Sequence, residues 1–279
     1  MSSLKYPCPQ GEGYLPIVHP GNSELRWLEV GLLRLRPGQR WQTETGPREM
    51  ALVILSGRVH VRTEGAQWNH LGGRRTVFDG RATTVYIPRE SWAEVEAAEA
   101  LHPSGLVESA VCFAPSPARA EPRFIPPDQV QARWVGQFNW RRSVEDCLHA
   151  GIPAGALLLG ETFNPPGNWS SYPPHKHDQD NPPVEGVLEE VYHYRISPPQ
   201  GFGLQRIYTA EGDRDTALVI RDGDTVVIPR GYHPVVAAPG YRLYYLWVLA
   251  GPQRVMRPHD DPDHAWVHAA GEVLKEALA

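Results

Sequence analysis

The chain is short of the features that mark membrane and nucleic-acid proteins. No apolar run approaches the ~20 residues that cross a bilayer as a helix. Basic residues are not in excess: 27 Lys and Arg stand against 32 Asp and Glu, a net charge of -5. A cationic footprint for nucleic acid or anionic lipid is therefore missing. The short basic clusters GGRR (72–75) and NWRR (139–142) read as solvated surface. Cysteine is scarce, with Cys8, Cys112 and Cys147 far apart and no CxxC pair, which excludes a disulfide framework. Each reads as a small buried hydrophobe rather than a thiol nucleophile. The opening MSSLKYPCPQGEGY has no basic-then-apolar pattern, so a secretory signal is not expected and a cytoplasmic setting is. Helical periodicity is rare as well; only HAWVHAAGEVLKEALA (264–279) carries it.

What is abundant is Gly and Pro, 26 and 28 residues spread along 279. That spacing predicts many short strands joined by tight turns, in two domains or one large all-β domain of two similar halves. Strand-like runs include LEVGLLRLRPG (28–38), EMALVILSGRVHVR (49–62), TTVYIPR (83–89), GALLLGETF (155–163), EEVYHYRIS (189–197), GLQRIYTA (203–210), DTVVIPR (224–230) and YRLYYLWVLAG (241–251). A Pro-rich bridge at 113–130 reads as an extended connection between halves. The halves echo each other. TVYIPRESW (84–92) aligns without gaps on TVVIPRGYH (225–233), setting Trp92 against His233. RPGQRW (36–41) echoes PPGNWS (165–170). REMALVILSG (48–57) can be laid on EEVYHYRIS, which sets Glu49 against Glu190.

Only the second copy carries a full polar set. In SYPPHKHD (171–178), strand alternation lets His175 and His177 face one way while Lys176 faces the other, on an approach stiffened by Pro173 and Pro174. Glu190 opens a later strand, and His233 follows the strand and turn IPRGY. Three imidazoles and a carboxylate suit Zn²⁺, Mn²⁺, Fe²⁺, Ni²⁺ or Co²⁺ and are poor for Ca²⁺ or Cu(I). Unrelated surface or core-capping histidines are the plain alternative; clustering of all four residues in one half weighs against it. His264 and His268 sit i,i+4 without a supporting carboxylate motif and are not taken as ligands. His193 should face away from Glu190.

The HxH, the later Glu and the G…PxG…H pattern of GDTVVIPRGYH together resemble the cupin family. The long motifs GNWSSYPPHKHD, EEVYHYR, PPQGFGLQRIYT, VIPRGYHPVVAAPGY and YYLWVLAGP, with NWRRSVEDCL and DDPDHAWV, resemble the 5-deoxy-glucuronate isomerases of inositol catabolism. These are bicupins related to the 4-deoxy-L-threo-5-hexosulose-uronate isomerases. The likeness implies an all-β fold of two tandem cupin-type barrels with a short C-terminal helix. A degenerate barrel over 1–115, a connecting segment over 116–150 and a metal-binding barrel over 151–279 are expected. It implies one divalent ion, Zn or Mn, on His175, His177, Glu190 and His233. Trp247 departs from the family's Asn, which bears on substrate fit.

The implied reaction converts 5-deoxy-D-glucuronate into 2-deoxy-5-keto-D-gluconate through an enediol, with a small sugar acid as partner, no nucleic acid or membrane, and a homo-oligomer open. A metal serves such chemistry as a Lewis acid. Tyr192 and Tyr194 share Glu190's face, so either is a candidate proton carrier, as is water. Arg206, amid strand apolars, is the first candidate for the substrate carboxylate, with Lys176 second. DQDNPPVEG (178–186) is a candidate flap. A metal-dependent dioxygenase and a non-catalytic sugar-binding cupin are the rival readings.

Overall fold

The computed structural model describes residues 3–277. As expected, the protein is all-β: two cupin barrels, each a large sheet closed by a four-stranded sheet, followed by one helix, Val267–Ala277. The first large sheet runs Arg123–Ile125, Thr83–Ile87, Arg48–Ser56, Val107–Pro115, Glu29–Leu35, Gly13–Val18. The second runs Lys5–Tyr6, Thr225–Ile228, Glu189–Ser197, Arg242–Ala250, Leu158–Asn164, Arg142–Leu148, Gln131–Val135. All their pairings are antiparallel.

The period-2 alternation sorts the residues of each large sheet between two cores. In Arg48–Ser56, Met50, Leu52 and Ile54 fill the first barrel. Ala51, Val53 and Leu55 pack outward, against Val191, Val227, Leu246 and Val248 of the second sheet. The barrels therefore meet back to back across one shared apolar layer. Small residues such as Ala51, Ala110, Cys112 and Ala250 in that layer permit close approach.

Two carboxylates lock this contact reciprocally. Glu49 of the first half accepts from the backbone N–H of Gly155, Ala156 and Leu157 at 2.6–2.7 Å and from the Tyr86 hydroxyl at 2.8 Å. Glu189 of the second accepts from Arg26, Trp27 and Leu28 at 2.6–2.7 Å. Burying a carboxylate costs several kcal/mol, and three or four charge-assisted bonds of about 1.5–3 kcal/mol each offset it. The leading strands are exchanged too. Lys5–Tyr6 joins the second sheet at Thr225–Val226, and Arg123–Ile125 joins the first at Thr84–Tyr86. The segment 116–150 is thus partly sheet: it also supplies Gln131–Val135 and Arg142–Leu148, the last strands of the second sheet.

Register corrects one pairing of the repeat. Met50 lies opposite Ile87, and Glu190 opposite Ile228. Since Ile87 and Ile228 are equivalent in TVYIPR and TVVIPR, Met50 is the counterpart of Glu190, and Glu49 that of Glu189. The first barrel has Met50 and Trp92 where the second has Glu190 and His233, and its interior is packed with apolar side chains.

Candidate metal centre and substrate cavity

His175 ends a short approach in the two-residue strand His175–Lys176, which pairs with His259–Asp260. The chain turns so that His177 meets Glu190 at the start of Glu189–Ser197, while the turn after Thr225–Ile228 brings in His233. One ring nitrogen from each of His175, His177 and His233 lies within 4.8 Å of the others. Glu190 Oε2 stands 3.2 Å from His177 Nε2 and 3.1 Å from His233 Nε2. All four predicted residues converge.

The surrounding bonds fix which nitrogens face the centre. His177 Nδ1 is 2.7 Å from the Leu188 carbonyl, and His233 Nδ1 is 2.9 Å from that of Gly231. A carbonyl only accepts, so both Nδ1 atoms carry the hydrogen, and each neutral ring turns an Nε2 lone pair toward Glu190. His233 Nε2 is buried without a hydrogen bond of its own. Two lone pairs facing a carboxylate at ~3 Å repel unless a proton or cation stands between them. Burial pulls the His177 pKa down, but Glu190 beside it more than offsets this and the net direction is up. Burial would raise Glu190, yet His177 and His233 hold it at about 2. Burial, together with the neighbouring imidazoles, pushes His175 well down, toward the neutral form that ligates. The donor set fits a divalent transition ion.

His175 and Glu190 open onto a cavity of about 390 Å³. Its wall is the inner face of the large sheet: Tyr192 and Trp247 beside the cluster, Tyr245 and Thr162 beyond them, then Val144 and Arg142. The Tyr192 hydroxyl lies 2.9 Å from Ser171 Oγ, and its ring stacks on Tyr245 at 4.2 Å. Trp247 has room because Gly160 lies opposite it in the sheet; a Cβ there would come within 2.3 Å of the indole.

Other expected site residues fall elsewhere. Arg206 is exposed, bidentate to Asp215 at 2.8 Å and stacked over Tyr208. In Gly203–Tyr208 the burial alternates, and Gln205 and Ile207 take the inward positions. Lys176 is buried but points away from the cluster, bonding Asp178 at 2.6 Å and Glu185 at 2.8 and 2.9 Å. Asp178 in turn accepts from Gly231 N at 2.8 Å, so Lys176 ties both histidine-bearing turns to the hairpin Asp178–Asn181 and Glu185–Val187. Tyr194 donates to Gln205 Oε1 at 2.8 Å in the barrel interior and does not line the cavity.

Both basic clusters read as surface contain a working arginine. Arg74 forms a buried bidentate pair with Glu161, and Arg142 lines the cavity. His193 does face away from Glu190, its Nδ1 2.9 Å from Thr225 Oγ1. His264 and His268 stay apart, against Tyr172 and Asp260.

Two antiparallel barrels in tandem, one filled with hydrocarbon and one holding a three-histidine, one-glutamate cluster, define a bicupin with a single candidate metal centre among the described residues. The family model described as KduI/IolB matches residues 6–267. The 5-deoxy-glucuronate isomerase of Geobacillus kaustophilus (strain HTA426) is 43% identical over 270 residues, covering 96% of each chain. That of Bacillus subtilis (strain 168) is 36% identical over 252 residues, covering 90% of this chain and 91% of its own. An IolB-like protein from Salmonella typhimurium LT2 superimposes with a TM-score of 0.90 at 32% identity, over 96% of this chain and 100% of its own. Oxalate decarboxylase from Lactobacillus farciminis, at 11% identity and a TM-score of 0.63, shares the fold over 93% of this chain and 89% of its own. The chain belongs to the KduI/IolB family and is an isomerase. No helix among the described residues is long and apolar enough to cross a membrane.

Proposed function

We propose that the chain is a divalent-metal-dependent aldose–ketose isomerase that converts 5-deoxy-D-glucuronate to 2-deoxy-5-keto-D-gluconate in inositol catabolism. The observation that carries this reading is the convergence of His175, His177, Glu190 and His233 on the wall of a cavity sized for a small sugar acid. The relatives' shared name supplies the substrate. A divalent ion held by these four residues, Zn or Mn, supplies Lewis-acid stabilisation of negative charge on the substrate's oxygens.

The chain's own groups divide the remaining work. Glu190, held at about 2, is a poor proton acceptor and serves as a ligand. Burial and then the charge of Glu190 push the Tyr192 phenol well up, so it stays protonated near neutral pH. It acts as a hydrogen-bond donor to a substrate oxygen, oriented by Ser171 and by its stack on Tyr245. Tyr194 is spoken for by Gln205 and is a packing residue. Trp247, Leu158 and Leu249 line part of the cavity with apolar surface.

The test is proton NMR of 5-deoxy-D-glucuronate with the enzyme in D₂O, under an oxygen electrode. The reading expects loss of the aldehyde signal, a new hydroxymethyl group and no oxygen uptake. Oxygen consumption would move the chain to the dioxygenases. Binding without turnover would make it a sugar-binding cupin.

A further inference from the structure

Arg142 opens the strand Arg142–Leu148 on the cavity side of the large sheet, and its guanidinium is under-used. Nη1 donates to the carbonyls of Trp140 at 3.3 Å and Tyr172 at 3.1 Å; Nε and Nη2 make no hydrogen bond among the described residues, and no carboxylate pairs with the group. The contrast with other arginines is informative. Arg133, on the same wall, is paired with Asp146. Arg74 is paired with Glu161, and Arg34 and Arg195 both with Glu108. Arg254, which also lacks a counter-ion, spreads its donors over five backbone carbonyls. Arg142 alone among these keeps a free two-nitrogen edge in the cavity that holds the histidine cluster. Its charge is felt at His175, and Tyr192 and Tyr245 are felt at Arg142, which places it within electrostatic reach of the reacting end. Burial pulls its own pKa down, and the longer-range influence of Tyr245, Tyr192 and Asp260, none of them hydrogen-bonded to it, does not make up the difference.

We propose that Arg142 binds the carboxylate of the substrate through this free edge and so sets which end of the open-chain acid meets the histidine cluster. The inference rests on the isomerase reading for the identity of the substrate, though not for the chemical class of group bound. A guanidinium offers two parallel N–H groups matched to the two oxygens of a carboxylate, and in a half-buried site that pairing discriminates strongly against a neutral analogue. Arg142 is a binding and orienting residue: it holds the far end of the substrate and exchanges no proton.

The test compares 5-deoxy-D-glucuronate with 5-deoxy-D-glucose, the same aldose with a hydroxymethyl group in place of the carboxylate. Both are offered to the metal-loaded wild type and to Arg142→Gln, by titration calorimetry and by turnover. Wild type is expected to prefer the acid by about 10²-fold in binding, as expected for a charge-assisted bidentate pair, and the variant to prefer it by less than about threefold. Metal content and thermal midpoint should be unchanged, and added guanidinium should restore acid binding to Arg142→Gly. Equal loss of acid and neutral binding would mean a structural role and would overturn the proposal, as would full retention of the preference. If wild type turned over neither sugar while calorimetry showed an acid preference lost in Arg142→Gln, the isomerase reading would fall and the carboxylate site would stand.

Discussion

Replacing Glu161 by Gln would test how the two barrels hold together. Glu161 is fully buried in Leu158–Asn164 of the second half, and Arg74, with 4% of its side chain exposed, reaches it from the first. The guanidinium bonds both carboxylate oxygens, at 2.6 and 2.9 Å. Tyr244 donates to Oε1 at 2.7 Å, and Arg74 also donates to the carbonyls of Ile54 and Gly80. Glutamine keeps one accepting oxygen but no charge, so a desolvated guanidinium loses its counter-ion. Breaking one side of a buried pair costs about 3–5 kcal/mol, and the retained oxygen places this change near the low end. For a chain of this size that corresponds to a fall of about 6 °C in Tm at roughly 2 °C per kcal/mol. Arg74→Met should cost a similar amount. The double variant should cost at least about 2 kcal/mol less than the sum, since two volume-matched neutral groups leave no orphaned charge. Calorimetric scans of the four proteins give the cycle. Additive single effects, or a Glu161→Gln protein melting within about 1 °C of wild type, would refute the idea that this pair couples the halves.

Four further outcomes follow from the same physics. Burial, and then the positive charge of Arg195, hold the His193 pKa down to about 3 despite Glu108 nearby, so the folded state refuses a proton that the unfolded chain accepts below about 6.5. Stability should therefore fall as pH drops through that window, by about 2 kcal/mol between pH 6.5 and 5. Urea unfolding of His193→Asn, which keeps a partner for Thr225, should show a slope there that is shallower by this amount, the remainder belonging to other buried imidazoles such as His175. Glu108 adds a second, lower window. Burial opposes its charge, but Arg195 and Arg34 hold it at about 2, so its contribution of about 3 kcal/mol is lost only between pH 4.5 and 2; in Glu108→Gln the acid loss below pH 4.5 should be smaller by that amount, with the share of Glu190 remaining. Lys176→Met should leave Asp178 and Glu185 without their cation and loosen both histidine-bearing turns. Metal titration should show about a 10–100-fold weaker Kd, and unchanged affinity would confine Lys176 to stability. Gly160→Ala places a methyl within 2.3 Å of Trp247 and of the Glu145 carbonyl. A raised KM and a shifted tryptophan emission are expected at unaltered metal content, and unchanged values would show that the indole does not shape the cavity.

The cluster was legible because its information is local. HxH on a short strand, a strand-opening Glu and a histidine after an IPRGY turn each carry their own geometry, and strand alternation correctly sent Lys176 outward. Tyr192 was likewise placed by alternation, although the same rule could not separate it from Tyr194, which lies one inward position deeper. The substrate end was not legible, because it depends on which strands become neighbours. Arg142 looks like one of two surface arginines in NWRR until Arg142–Leu148 joins the second sheet and turns its first residue inward. Arg206 failed for the opposite reason: GLQRIYT places either Gln205 or Arg206 inside, and the neutral side chain took the buried position. The one-residue slip that equated Glu49 with Glu190 arose because both strands open on two polar residues. Only the pairing of Met50 with Ile87 and of Glu190 with Ile228 settles the register.

The central claim is that one metal ion, held in the second barrel alone, is required for isomerisation. The most direct measurement is metal stoichiometry by mass spectrometry on purified wild type and Glu190→Gln, with turnover of 5-deoxy-D-glucuronate measured on the same samples. One Zn or Mn per chain in the wild type, lost together with activity in the variant, is the predicted result. Two ions per chain, or a wild type that isomerises the sugar after its metal has been stripped, would contradict it.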